Sequence, residues 1–107
     1  MLTDMFCFQC QETMKNTGCT RRGMCGKPAD VANLQDLLVY LLKGISFWGT
    51  RGRGMGVDHP ETNLFIAQAL FATITNANFD PDAFVELIKD AIKRRDALRS
   101  EAQAKCN

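Results

Sequence analysis

From Val31 onward, apolar residues recur at intervals of three and four, whereas the first thirty residues carry no such period. The first periodic run, Val31, Leu34, Leu37, Leu38, Leu41, Leu42 and Ile45, marks one face of an α-helix, with Gln35, Asp36 and Lys43 off that face. Asp30 is placed to accept hydrogen bonds from the free N–H groups at its start. Phe47 and Trp48 close the helix, and TRGRGMG follows. Each glycine inside a helix costs about 1 kcal/mol relative to alanine, so this segment is expected to be a flexible linker. Asp58, Pro60 and Glu61 then have the spacing of a capping box with proline in the first turn. They announce a second helix whose expected buried stripe is Leu64, Ala67, Leu70, Phe71 and Ile74 and whose end falls at Asn76 to Asn78. A third helix starts with Asp80 as N-cap, Pro81 at the first position and Asp82 beside it. Its inner face is Phe84, Leu87, Ile88, Ala91, Ile92 and Leu98, and Lys93, Arg94, Arg95, Arg99 and Lys105 solvate its outer surface.

Three amphipathic helices joined by short turns predict an all-α, three-helix up-down-up bundle preceded by an N-terminal cysteine loop lying across one end. The expected division is residues 1–29 for the loop and 30–107 for the bundle, within a single domain. A chain of 107 residues buries only around two thirds of the surface it exposes unfolded, so its core is modest. A net charge of +1 creates no long-range field and gives no reason to expect a nucleic-acid partner. No apolar run is long enough to span a bilayer, and MLTDMFCFQ lacks the basic-then-apolar pattern of a secretory leader. The expected setting is the reducing cytoplasm, without a membrane.

The helical pattern leaves Cys7, Cys10, Cys19 and Cys25 unexplained: four thiols within nineteen residues, separated by two, eight and five. Two disulfides would need an oxidising compartment. A structural zinc site usually has two short CxxC knuckles, and only Cys7 and Cys10 form one. The wide Cys19–Cys25 spacing suits a continuous wrap around an iron-sulfur cube, with zinc as the alternative. Gly18, Gly23 and Gly26 would let the backbone approach such a centre, while Phe6, Phe8, Met14 and Met24 would exclude water from it; Arg21 and Arg22 could offset its charge but read more simply as a solvated pair. His59, the single histidine, sits at a helix start and reads as a surface or capping residue, as the Asp80 and Asp82 carboxylates do. Cys106 reads as a spare thiol, and no catalytic residue is expected.

The run MFCFQCQETMKNTGCTRRGMCGK, followed by LQDLLVYLLKGIS and LFATITNANFDPDAFVELI, resembles the start of the hybrid cluster protein family, the prismane or hydroxylamine reductase proteins. The resemblance implies that Cys7, Cys10, Cys19 and Cys25 are ligands of a [4Fe-4S] cluster and that the helices form the first bundle of the family's N-terminal domain. It implies electron transfer from a donor protein to later domains, where a second, hybrid cluster reduces hydroxylamine to ammonia. Those domains are the implied partners. The chain alone, lacking the residues that hold the second cluster, is expected to be inactive and to expose an apolar surface open to self-association.

Overall fold

A computed structural model of the chain describes residues 5–10, 14–23, 25–74 and 80–106. The protein consists of α1 (Ala29–Arg53), α2 (Pro60–Ile74) and α3 (Pro81–Cys106), behind an N-terminal arm with one 3-10 turn at Met14–Asn16. Side-chain contacts fix the directions. Gly44 and Gly49 of α1 lie against Arg95 and Leu98 of α3, so these two helices run parallel. His59, just ahead of α2, meets Glu101 near the end of α3, and Lys27, just ahead of α1, meets Thr73 near the end of α2. The fold is therefore the expected up-down-up bundle, with α1 and α3 in the closest contact and α2 held more lightly.

The α1–α3 seam follows a seven-residue repeat. On α1 it runs Val31, Gln35, Leu38, Leu42, Ile45, Gly49, Gly52, and on α3 Phe84, Ile88, Ala91, Arg95, Leu98, Ala102. Alternating steps of four and three keep a stripe facing its partner along the whole length of two helices, as in a coiled coil. Gln35, expected off the apolar face, sits on this seam at 2 % exposure. Neither polar atom of its amide has a hydrogen-bond partner among the described residues. Leu37 and Ile92, expected inside, are exposed. Both lie one step off a stripe narrower than the periodicity alone suggests.

The glycine-rich segment after Trp48 is not a flexible linker. Helix α1 continues through it to Arg53 and stops in a defined turn. The Val57 N–H donates to the Gly52 carbonyl at 2.8 Å and the Gly56 N–H to the Arg53 carbonyl at 3.3 Å. Gly56 has φ 86. This is the Schellman arrangement, in which the residue after the cap adopts a left-handed conformation and the next one folds back on the last turn. A Cβ on Gly52 would lie 3.3 Å from the Val57 Cβ, so the missing side chain is where Val57 packs. Gly56→Ala should destabilise the protein by about 1–2 kcal/mol, the cost of a left-handed non-glycine residue. Gly54→Ala, at φ −65, should be nearly neutral; urea midpoints of the two variants compare them directly.

Helix α2 presents the face opposite to the one expected. Thr62, Phe65, Ala69 and Thr73 are buried, with Ile66 and Ala72 partly so. Leu64, Leu70, Phe71 and Ile74 are 42–64 % exposed, and Ala67 is exposed with them. The helix is apolar around most of its circumference, so periodicity offers two faces and side-chain bulk selects the wrong one. The expected stop at Asn76 to Asn78 lies outside the described residues. At α3 the sequence reading holds: the Asp80 carboxylate accepts the Asp82 N–H at 3.0 Å, and Pro81 is the first helical residue. Asp30 accepts the Val31 N–H at 2.9 Å, but the N-cap position itself is Pro28.

Two side chains read as solvated tie the helices together. Arg94 is half-buried, pairs with Asp90 at 3.1 Å, donates to the Thr62 hydroxyl at 3.3 Å, and lies 4.6 Å above the centre of the Phe65 ring. His59 bridges Glu61 (3.2 Å) and Glu101 (2.7 Å) through its two ring nitrogens. Carboxylates at both nitrogens favour the doubly protonated ring, and these hydrogen bonds, Glu61's first, raise its pKa above the ordinary value. Glu61 is lowered by its own N–H and by His59. A raised histidine contributes stability that is full below about pH 6.5 and fades as pH rises through the folded value; a lowered carboxylate contributes above its unfolded pKa and fails in acid. The urea midpoint should therefore fall between about pH 6 and pH 8.5. His59→Gln should remove that fall while costing less than about 1 kcal/mol at pH 6, since the site is a solvent-screened surface pair.

Candidate metal centre

The arm is built on one antiparallel backbone pair. The Cys7 N–H donates to the Cys19 carbonyl at 2.9 Å and the Cys19 N–H to the Cys7 carbonyl at 2.8 Å, with the Met5 N–H reaching the Thr20 carbonyl at 3.1 Å. Residues that exchange both bonds stand directly opposite each other and point to the same face. The alternation of extended backbone sorts the neighbours: Met5 is buried and Cys7 half-buried, while Phe6 and Phe8 are more than half exposed. Met5, Cys19 and Ala32 form a small core, with Cys7 and Ala29 against it, that docks the arm onto the first turn of α1.

Gly18 is required here by contact. Its φ is 117, and a Cβ would come within 2.4 Å of the Phe6 ring. Phe6 thus packs against the backbone beside Cys19. Phe8 and Met14, expected to exclude water, are likewise exposed, and Met24 lies outside the described residues. The turn at 23–27 is closed by the Gly23 N–H to the Lys27 carbonyl, 2.9 Å. The Cys25 sulfur packs back toward Gly23.

The four cysteines are free thiols: Cys19 buried, Cys7 half-buried, Cys10 and Cys25 exposed. The fold brings Cys7 and Cys19 together. Among the described residues no three histidine, cysteine, aspartate or glutamate side chains gather closely enough to hold a metal ion. The donor set, four thiols on one arm, fits a thiolate-bound centre in kind, and the Cys7–Cys19 pair fits it in placement. The thiol of Cys106 lies outside what is described.

One residue missed from the sequence dominates the electrostatics. Lys27, singled out by no motif, is 4 % exposed. Its ammonium donates to the Gln9 side-chain oxygen at 3.0 Å, the Thr73 carbonyl at 3.3 Å and the Cys7 sulfur at 3.7 Å. Gln9 in turn donates to the Thr73 hydroxyl at 3.0 Å, so the arm is latched to the end of α2. Arg21 and Arg22 are exposed. They are the solvated pair expected, and the cation at the Cys7 sulfur is Lys27. Across an open groove of about 330 Å³, partial burial lifts the Asp36 carboxyl above its ordinary pKa while the Lys27 charge pulls it down. A lysine two positions beyond Cys25, in CGKP, was the available signal.

Residues 5–106 match the model of the Prismane/CO dehydrogenase family. The chain is similar to a hydroxylamine reductase from Halothermothrix orenii, 59 % identical over 97 residues, covering 91 % of the chain and 18 % of that protein. It is also similar to hydroxylamine reductases from Caldanaerobacter subterraneus subsp. tengcongensis, 54 % over 101 residues (94 % of the chain, 18 % of the relative), and Nitratidesulfovibrio vulgaris, 54 % over 96 residues (90 % and 17 %). The chain thus spans less than a fifth of the length of these relatives. Among the described residues no helix is long and apolar enough to cross a membrane.

Proposed function

Because the chain belongs to the Prismane/CO dehydrogenase family, we propose that it is the N-terminal [4Fe-4S]-binding, electron-transfer domain of a hydroxylamine reductase working in the cytoplasm. Residues 1–29 are the cluster-binding arm and 30–107 the scaffold. Cys7, Cys10, Cys19 and Cys25 are the ligands, with Cys10 and Cys25 turning toward the Cys7–Cys19 pair. The observation that carries this reading is that pair, held by two backbone hydrogen bonds of 2.9 and 2.8 Å with a buried ammonium at the Cys7 sulfur. When bound, the cluster supplies one-electron transfer.

The chain's own residues do the rest. Met5, Ala29 and Ala32 anchor the arm to α1, Lys27 and Gln9 anchor it to α2, and the exposed Cys10 side leaves an approach for a donor protein. Reducing hydroxylamine to ammonia and water takes two electrons and two protons, so a single-electron carrier must deliver twice to a separate catalytic centre. No residue here is assigned to that chemistry, and the isolated chain is inactive on hydroxylamine. The outward side chains Leu64, Leu70, Phe71 and Ile74 of α2 meet the remaining domains, and in their absence promote self-association.

Anaerobic purification with metal analysis tests the reading. The expected product is brown, with four irons per chain and a broad absorbance band near 400 nm. A colourless protein with one zinc per chain would overturn it.

A further inference from the structure

A lysine ammonium that is 4 % exposed, hydrogen-bonded only to neutral oxygens and a sulfur, is a costly arrangement. Among the described residues no carboxylate hydrogen-bonds it, and the Thr73 carbonyl and Gln9 amide solvate it without neutralising it. The Asp36 carboxyl feels its charge without hydrogen-bonding it, so the group in direct contact with it that can carry a negative charge is Cys7. As a thiol, Cys7 supplies a weak acceptor; as one thiolate of an anionic four-sulfur centre, it supplies a counter-charge in contact with the ammonium.

From this we infer that Lys27 is a positioning residue that sets the reduction potential of the centre on the arm, holding it higher than the four thiolates alone would. The inference rests on the iron-sulfur reading above. Potentials of such centres follow net charge, hydrogen bonds to sulfur and exposure, and Lys27 acts on the first two at once. Reduction adds one negative charge close to a positive one that is itself buried, so the ammonium favours the reduced state. The same group ties the Cys7 sulfur to the last turn of α2 through Thr73. A shift of α2 would therefore move the cation relative to the sulfur, giving the helix a route to the potential.

The test uses the purified chain loaded anaerobically, with Lys27→Met and Lys27→Arg beside it. Iron per chain, far-UV circular dichroism and the midpoint potential, read by electron paramagnetic resonance at poised potentials with dithionite as reductant, are measured on each. The expected result is four irons in all three, a midpoint clearly more negative in Lys27→Met, and one near the original in Lys27→Arg. A Lys27→Met chain that stays helical but takes up no iron, while Lys27→Arg loads fully, overturns the inference in favour of a role for the charge in assembling the centre. The inference is overturned if loaded Lys27→Met keeps the original midpoint, or if neither variant loads, since shape and not charge would then be what the arm requires. Failure of the unsubstituted chain to bind iron is a separate outcome that removes the reading beneath it.

Discussion

Replacing Cys19 with serine should abolish cluster uptake, taking the anaerobically loaded chain from four irons to none. Of the four thiols it is the one the fold holds most firmly: 4 % exposed, paired through both backbone groups with Cys7, and packed on Met5 and Ala32. Serine keeps the size but offers a hydroxyl that is a poor iron ligand, and burying it without a partner costs a further ~1–3 kcal/mol. Cys7→Ser should behave alike. Cys106→Ser, outside the arm, should load normally. Iron per chain and the band near 400 nm report the result, and far-UV circular dichroism checks that the three helices persist. Full loading of Cys19→Ser would remove Cys19 from the ligand set.

Phe84→Ala should be the most damaging change to stability, about 3–5 kcal/mol. Phe84 is fully buried on the seam near the start of α3, the largest side chain with no exposure among the described residues. Small domains have only about 5–15 kcal/mol in total, so the variant should approach unfolding at room temperature. Phe71→Ala removes an equal ring from the outward face of α2, where Phe71 is 64 % exposed, and should change stability by less than about 0.5 kcal/mol. Urea unfolding of both variants decides the matter. Equal losses would mean that α2 is turned the other way round in solution.

That last contrast shows where sequence reading reaches its limit. The start of α3 was legible because Asp80 acts locally, through its carboxylate on the Asp82 N–H, and Pro81 takes the first helical position; α1 starts close to the expected place, but its N-cap position is Pro28 and not Asp30. The seam was legible in outline, since Leu38, Leu42, Ile45, Phe84 and Leu98 are both bulky and periodic. Helix α2 defeated the same method because all its buried positions but Phe65 are small, Thr62, Ala69 and Thr73, while Leu64, Leu70, Phe71 and Ile74 face out. Burial there is decided by what the helix must approach, which composition does not record. TRGRGMG misled for a related reason: Gly52 is a packing surface for Val57, and its cost as a helix residue is offset by that contact. At the candidate centre the thiols themselves were plain from spacing. Lys27 was not, because its meaning depends on Thr73, which lies 46 residues along the chain.

The helices in closest contact are the first and the third, which the chain can bring together only after α2 has turned back between them. Each contact along the seam therefore closes a loop that includes a whole intervening helix, and the entropy of that closure precedes the reward. A helical protein wired this way has a higher contact order than one built from successive hairpins and folds more slowly for its size. It also leaves no self-sufficient half: α1 with α2 alone has few contacts to stand on, so folding is expected to be all or none.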